Sequence, residues 1–225
     1  LQLFSDWTPE LSTTLRVNYK EFARGQICRA GPDVGALELN DIDVADTVGT
    51  PLEGLITEDG EDIFFGCDRF RHANDYSDER LQLFGSADYQ LGNHQLTVGG
   101  EYEEFELFNL FVAGSRGRFR FDSVQDFLNN ENVRVDYVNV NSNNAQDGAA
   151  EWGYEKTSLF VQDTWQVRDD LELTLGLRYE RYAQGDEPAF SPTIQQQYGV
   201  DTSANLDGLE LWLPRIGFRW DAAPR

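Results

Sequence analysis

The stretch Leu171-Glu-Leu-Thr-Leu-Gly-Leu-Arg-Tyr-Glu180 decides the fold class, because its side chains alternate strictly between two kinds. The odd positions carry four Leu and one Tyr, whereas the even positions carry Glu, Thr, Gly, Arg and Glu. Successive side chains of a β-strand point to opposite faces of its sheet. The stretch therefore predicts a strand with one apolar face and one polar face.

Six further segments show the same period of two. They begin at Leu1, Leu11, Arg80, Gln95, Thr157 and Leu209. The apolar set changes parity across Glu103-Glu104, where a β-bulge would explain the change. It changes again at Pro214, which cannot donate a ladder hydrogen bond and so marks a break or an edge. The chain thus contains seven predicted strands.

The connections between these strands alternate in length. The short ones lie at 7–10, 92–94 and 169–170, and the long ones at about 25–75, 113–154 and 185–208. All short turns then lie at one end of an antiparallel sheet and all long loops at the other. Transmembrane β-barrels of the outer membrane have this asymmetry, with the long loops outside the cell. A soluble sandwich has no reason to sort its loops by length.

The composition limits the partners. Of 225 residues, 18 are Lys or Arg and 40 are Asp or Glu, which gives a net charge of −22. This excess of acid argues against a nucleic-acid partner, because phosphate binding needs cations. No run approaches the roughly 18 to 20 apolar residues of a membrane helix. The missing apolar run excludes membrane helices but not a transmembrane β-barrel, because apolar and polar residues alternate along barrel strands.

Much of the acid lies in the first long loop. Residues 25–75 contain twelve Asp or Glu but only three Arg. Within the second loop, the stretch Phe121–Leu128 has helical spacing, with Asp122 or Ser123 as its N-cap, and Val133–Val140 suggests a short strand.

The positions of the aromatic residues indicate that the apolar face contacts lipid rather than a second sheet. A sandwich would pack that face against a second sheet, whereas a barrel would present it to acyl chains. Aromatic side chains mark both ends of the apolar face: Tyr89, Trp165 and Trp220 near the short turns, and Tyr102 and Tyr179 toward the long loops. Two aromatic levels separated by aliphatic residues are typical of interfacial girdles.

Seven strands are too few for a complete bacterial barrel, whose smallest size is eight. The chain begins at Leu1 inside an alternating segment and ends on Asp221-Ala-Ala-Pro-Arg225, which opens a turn. At roughly 32 residues per strand and connection, a 22-stranded barrel would need about 700 residues. We expect 1–225 to be a partial barrel domain without the remaining strands.

Cys28 and Cys67 lie in the acidic stretch, 39 positions apart. A disulfide in an oxidising compartment suits this pair better than a metal site, which would need closer and more numerous ligands. Two free thiols are the remaining alternative.

Several segments resemble the barrels of TonB-dependent outer-membrane receptors. The segments Thr157–Val167 and Leu171–Tyr182, joined by a two-Asp turn, look like a hairpin of these receptors. Three further segments resemble the Oar-like group: Arg69–Asn74, Gly99–Phe111 and Leu211–Trp220. The resemblance implies a barrel in the bacterial outer membrane, closed by an N-terminal plug that contacts TonB and energises the uptake of a bulky solute. Neither a plug nor a TonB box is present in this chain.

Charged residues on the polar faces of the strands are the candidate site. They are the lumen-facing candidates Arg16, Lys20, Arg80, Glu101, Arg178, Arg215 and Arg219. In a transporter, such groups would contact the plug or a passing solute. The alternative is hydration and cross-strand pairing in a wet interior.

No combination of residues indicates an enzyme, a metal site or a cofactor. The chain has only two histidines, His72 and His94, and neither has a nearby Ser or Cys nucleophile. The acidic runs 40–43 and 58–62 lack the spacing of a twelve-residue calcium loop. The alternative function is a secreted β-sandwich or adhesin-like binding module with an acidic, Ca²⁺-binding surface.

Overall fold

The computed structural model describes residues 1–31, 34–131 and 134–222. Asp33, Val133 and the last three residues of the expected terminal turn therefore lie outside the described part. The strands of that part are β1 (Gln2–Asp6), β2 (Leu11–Gly25), β3 (Ala36–Ile42), β4 (Glu61–Gly66), β5 (Asn74–Leu91), β6 (His94–Phe111), β7 (Arg118–Phe121), β8 (Arg134–Asp136), β9 (Ala149–Arg168), β10 (Leu171–Ala183) and β11 (Glu210–Trp220). The α-helices are α1 (Val44–Thr47), α2 (Val124–Asn129) and α3 (Pro192–Tyr198).

The larger sheet has seven strands in the order β1-β2-β5-β6-β9-β10-β11. All seven segments predicted from alternation lie in it, so the prediction of an all-β chain built on this sheet is confirmed. Neighbours such as β9 and β10 pair antiparallel. Among the described residues the sheet is open, with β1 and β11 at its edges, and the expected number of 22 strands stays a prediction.

Three strands of this sheet are much longer than a bilayer requires. β5 and β6 have 18 residues each and β9 has 20, whereas about 9–11 residues cross a membrane. The connection expected at 113–154 is accordingly shorter, because β9 already begins at Ala149.

The two faces of the sheet keep a constant parity. We call the face with Ser158, Arg178 and Glu180 the polar face, and the opposite face, with Leu159, Leu175 and Leu177, the apolar face. Ser158 lies directly opposite Glu180, and Leu159 opposite Tyr179.

Both parity changes expected from the sequence have another explanation. Glu101, Glu103 and Phe105 all contact residues of the polar face, so alternation continues through Glu103-Glu104. In β11, Leu213 lies opposite Arg178 and therefore shares the polar face with it. The expected bulge is wrong, because apolar side chains line the polar face toward the long-loop end; at Pro214, the expected break or edge is an edge, since pairing continues through it. Pro214 does lie on an edge strand of the described sheet.

The long connections contain a second sheet that alternation did not predict. Its order is β4-β3-β7-β8, and β3 pairs parallel with β7, unlike its other pairs. The expected helix is α2, where the Ser123 hydroxyl accepts a hydrogen bond from the Asp126 N–H at 3.1 Å. The expected short strand is β8.

The chain divides into two compact units. The sheet unit comprises Leu1–Phe22, Asp78–Leu107 and the described part of Glu151–Arg225, and the loop unit comprises the described parts of Ala23–Ser77 and Phe108–Ala150. The loop unit has an ordinary hydrophobic core. Its members are Leu39, Ile42, Leu52, Ile56, Ile63, Phe121 and Val124. In the described sheet unit, Phe105 alone is a buried hydrophobic residue.

Candidate functional site

The sheet unit buries polar side chains and exposes apolar ones. Ser158 is 0% exposed and its chain neighbour Leu159 is 58% exposed. Glu103 is 4% exposed, whereas Leu175 and Ile216 are 43% and 80% exposed. Exposing so many large apolar side chains to water would be unfavourable. The arrangement is the reverse of a soluble sandwich and is typical of a sheet whose apolar face contacts lipid.

Arg178 is the centre of a charged network on the polar face. Its Nε donates to Glu180 at 2.6 Å, and its Nη2 donates to Glu101 at 3.1 Å and to the Ser158 hydroxyl at 2.9 Å. Three neighbouring strands, β6, β9 and β10, supply these residues. The network brings together two of the predicted residues, Arg178 and Glu101.

A second buried carboxylate, Glu103, lies beside this network. It accepts hydrogen bonds from the Tyr154 hydroxyl at 2.6 Å and from Gln82 Nε2 at 2.5 Å. Lys156 Nζ lies 3.8 Å from Glu103 and 3.9 Å from Glu101, and so joins the two carboxylates. Three such partners offset the cost of burying the Glu103 carboxylate and restrict its position.

Two more of the predicted cations have partners on the same face. Lys20 Nζ contacts Asp78 at 2.9 Å, and the Asp78 side chain is buried. The Arg80 guanidinium lies over the Phe105 ring, 4.9 Å from its centroid. Lys20 is thus paired with a carboxylate of β5, whereas Arg80 has an aromatic partner on β6.

The other three predicted cations lie nearer the short turns. Arg16 lies over the Phe84 ring at 4.8 Å from its centroid. Arg215 donates to Gln162 at 3.4 Å, and Arg219 lies 3.8 Å from Asp221. The structure therefore does not join these three residues to the carboxylate network.

A family model described as "Outer membrane beta barrel domain" matches residues 5–225. The chain belongs to this family. The barrel domain is accordingly located in the bacterial outer membrane, in agreement with the exposed apolar face. Among the described residues, none of the helices is long and apolar enough to cross a bilayer.

No curated protein matches the sequence. Among solved structures, the copper transporter OprC is similar, with a TM-score of 0.44 and 11% sequence identity. The match covers 99% of the barrel domain and 28% of the transporter, so the chain spans about a quarter of that protein's length.

The aromatic residues predicted to form girdles lie on strands of the sheet unit. Trp165 stacks on His94 with centroids 5.2 Å apart, and Trp220 Nε1 donates to Asp170 in the β9–β10 turn at 3.1 Å. Tyr179 packs against Trp212 at 4.8 Å. Tyr89 is exposed near the end of β5, and Tyr102 lies in β6. Their role as girdles stays a prediction.

In the loop unit, a disulfide joins Cys28 and Cys67, whose Cα atoms are 5.3 Å apart. The fully buried His72 lies beside it. Its Nε2 is 3.0 Å from the Cys67 carbonyl, and its Nδ1 accepts from the Arg116 backbone N–H at 3.2 Å. Burial lowers the pKa of His72, and protonation of Nδ1 would break its bond to Arg116.

The smaller sheet carries a paired carboxylate, Glu38. Arg118 donates two hydrogen bonds to the buried Glu38, and hydrogen bonding to Glu38 raises the pKa of Arg118. Within the described ranges, no three His, Cys, Asp or Glu residues are grouped to hold a metal ion.

Sequence reasoning missed several residues of the polar face. They are Asp78, Gln82, Phe84, Glu103, Tyr154, Lys156, Ser158, Phe160 and Glu180. Strand parity assigns most of them to the polar side of their strands, but parity alone does not indicate which of them meet across strands. Phe84 and Phe160 are aromatic residues at polar positions, and that mismatch was a usable indication.

Proposed function

We propose that the barrel domain is part of a TonB-dependent receptor of the Oar-like group that takes up a bulky solute across the outer membrane. The proposal includes a barrel of 22 strands and an N-terminal plug that contacts TonB. It also holds that the domain has no enzymatic activity and that its partners are outer-membrane lipid, TonB and a solute.

One observation carries this proposal: the sheet unit exposes its apolar side chains and buries charged ones on the opposite face, as a barrel wall in lipid does. Arg178, Glu101 and Glu103 keep fixed positions through direct contacts of 2.5–3.9 Å. A simple structural sheet has no need to bury several charges, since each costs desolvation free energy. Beyond this cross-strand pairing, the proposal is that the same face contacts a plug or a solute.

The sequence resemblance supports the finer assignment. The hairpin formed by β9 and β10 contains the segment typical of these receptors, and β6 and β11 contain two of the Oar-like segments. Energy coupling is expected from the same resemblance, because an occluded barrel needs work to open.

Depletion of solutes from the medium tests the proposal. The parent strain, a strain without the gene and a complemented strain are grown in one complex medium, and the remaining solutes are measured by mass spectrometry. We expect at least one solute too large for porins to be depleted only when the gene is present. A protonophore should abolish that depletion.

Two results would contradict the proposal. Depletion profiles that do not change when the gene is removed would exclude uptake. A gene-dependent solute whose uptake continues after the proton gradient has collapsed would exclude energy coupling through TonB. The secreted-sandwich alternative has no support, because the family is one of outer-membrane barrels.

A further inference from the structure

An aromatic groove crosses the polar face below the charged network. Its volume is about 430 Å³, and its lining includes Phe84, Phe160, Gln162, Arg178 and Arg215. The rings of Phe84 and Phe160 are stacked, with centroids 5.9 Å apart and planes inclined by 20°. The two rings form an apolar floor beside charged groups, and Leu213 also lines the groove.

The charges around this floor are unevenly compensated. Arg178, 5.9 Å from the Phe160 centroid, has two carboxylate partners. In the part of the chain that the structure describes, neither Arg16 nor Arg215 forms an ion pair with a carboxylate. Arg16 lies over Phe84, and Arg215 has only the amide oxygen of Gln162. Within the described residues, the groove lining therefore contains one cation without a carboxylate partner, Arg215, and Arg16 lies outside the lining, over Phe84.

Two glycines on the polar face create the space for this arrangement. A Cβ atom at Gly99 would lie 2.4 Å from Phe160 Cζ and 2.6 Å from the Gly85 carbonyl oxygen. Gly176 lies directly opposite Arg215, so β10 presents no side chain there. A larger residue at Gly176 would close part of the groove, and one at Gly99 would displace the Phe160 ring.

The dimensions indicate what the groove accepts. Arg215 lies on β11 and Phe160 on β9, two strand spacings apart, which is about 10 Å. A ligand that stacks on the aromatic floor and also reaches the guanidinium must have a flat ring system with an anionic group at its end.

We propose that this groove binds planar aromatic carboxylates, with the ring system on Phe84 and Phe160 and the carboxylate on Arg215. This inference rests on the proposed uptake function and names the chemical class of its solute. Arg215 would form a charge-assisted hydrogen bond with the carboxylate. Arg16 would add a favourable charge beyond Phe84.

Binding of 2-naphthoate to the intact protein in detergent tests the proposal, with protein-free micelles as the blank. We expect 2-naphthoate to bind about tenfold more tightly than the neutral 2-naphthalenemethanol, because one charge-assisted hydrogen bond is lost with the alcohol. Arg215→Gln should weaken naphthoate binding by about tenfold and leave the alcohol unaffected. Phe160→Leu should weaken both by about fivefold through lost stacking.

Arg219→Gln is the matched control, since Arg219 lies on the same strand and face but outside the groove lining. It should change binding by less than about twofold. Equal affinity for 2-naphthoate and the alcohol in the unmodified protein would overturn the proposal, even if a variant failed to fold. Equal effects of Arg215→Gln and Arg219→Gln would also overturn it.

The binding assay contains no proton gradient, so it is independent of transport. The predicted binding pattern together with unchanged solute depletion would support the groove and contradict the uptake proposal. Gene-dependent uptake together with no selective naphthoate binding would support transport and overturn the groove assignment.

Discussion

The apolar face of the seven-stranded sheet should not tolerate a charge. Leu175 is four residues into β10, about 13 Å along the strand, and a tilt of about 45° places it roughly 10 Å above the turn. The outward-facing apolar band of such a barrel is about 25 Å tall, so Leu175 lies near the middle of the bilayer. Leu175→Arg should lower the free energy of unfolding by about 2–4 kcal/mol. The measurement is urea unfolding of the intact protein in phosphatidylcholine vesicles, followed by Trp fluorescence.

The matched control is Thr174→Arg, which changes the neighbouring residue at nearly the same depth on the polar face. Thr174 lies opposite Thr164 and Gly217, so an arginine there has space and polar surroundings. It should cost less than about 1 kcal/mol. Equal costs for the two variants, or a larger cost for Thr174→Arg, would refute the conclusion that lipid contacts the leucine face.

Three further predictions concern particular contacts. Because burial lowers the pKa of His72 below its ordinary value of 6.5, the unfolded chain takes up the proton more readily. The stability that neutral His72 contributes is complete above pH 6.5. Below pH 6.5 it falls by about 1.4 kcal/mol per pH unit, until the pH passes the pKa of His72 in the folded state. Thermal melting between pH 7.5 and 5 should show this slope, and His72→Gln should remove it. Reduction of the Cys28–Cys67 disulfide, which spans 39 positions, should lower the free energy of unfolding by about 4 kcal/mol, because the unfolded chain gains the entropy of an open loop. An unchanged melting temperature after reduction would contradict this. Gly99→Ala should lower the melting temperature because its Cβ meets a backbone oxygen, whereas Gly217→Ala, whose Cβ has ordinary contacts at 3.7 Å, should not.

The candidate site was predictable only in part. Parity placed Arg178 and Glu101 on polar faces of their strands, because the direction of a side chain depends on its own strand. That they touch depends on how β6, β9 and β10 are aligned. The two residues are 77 positions apart, and nothing in the local pattern sets that alignment.

The loop unit was the least predictable part of the chain. Its core joins residues of two segments, such as Leu39 and Phe121, that are separated by strands of the other unit. The strands in these segments have only 7, 6, 4 and 3 residues, too few to show a clear period, and the many acidic residues around them indicated only a solvated loop. The parallel pairing of β3 with β7 joins strands that are far apart in the sequence, so no local pattern predicts it.

By itself, the sequence determined the class of this protein, since period-two alternation and the sorting of short and long connections are properties of local backbone geometry. The tertiary structure alone decided which charges meet, where a second core forms and which cations are left without a carboxylate. The physical reason is that strand direction is local, whereas register across a sheet is settled by packing between residues distant in the chain.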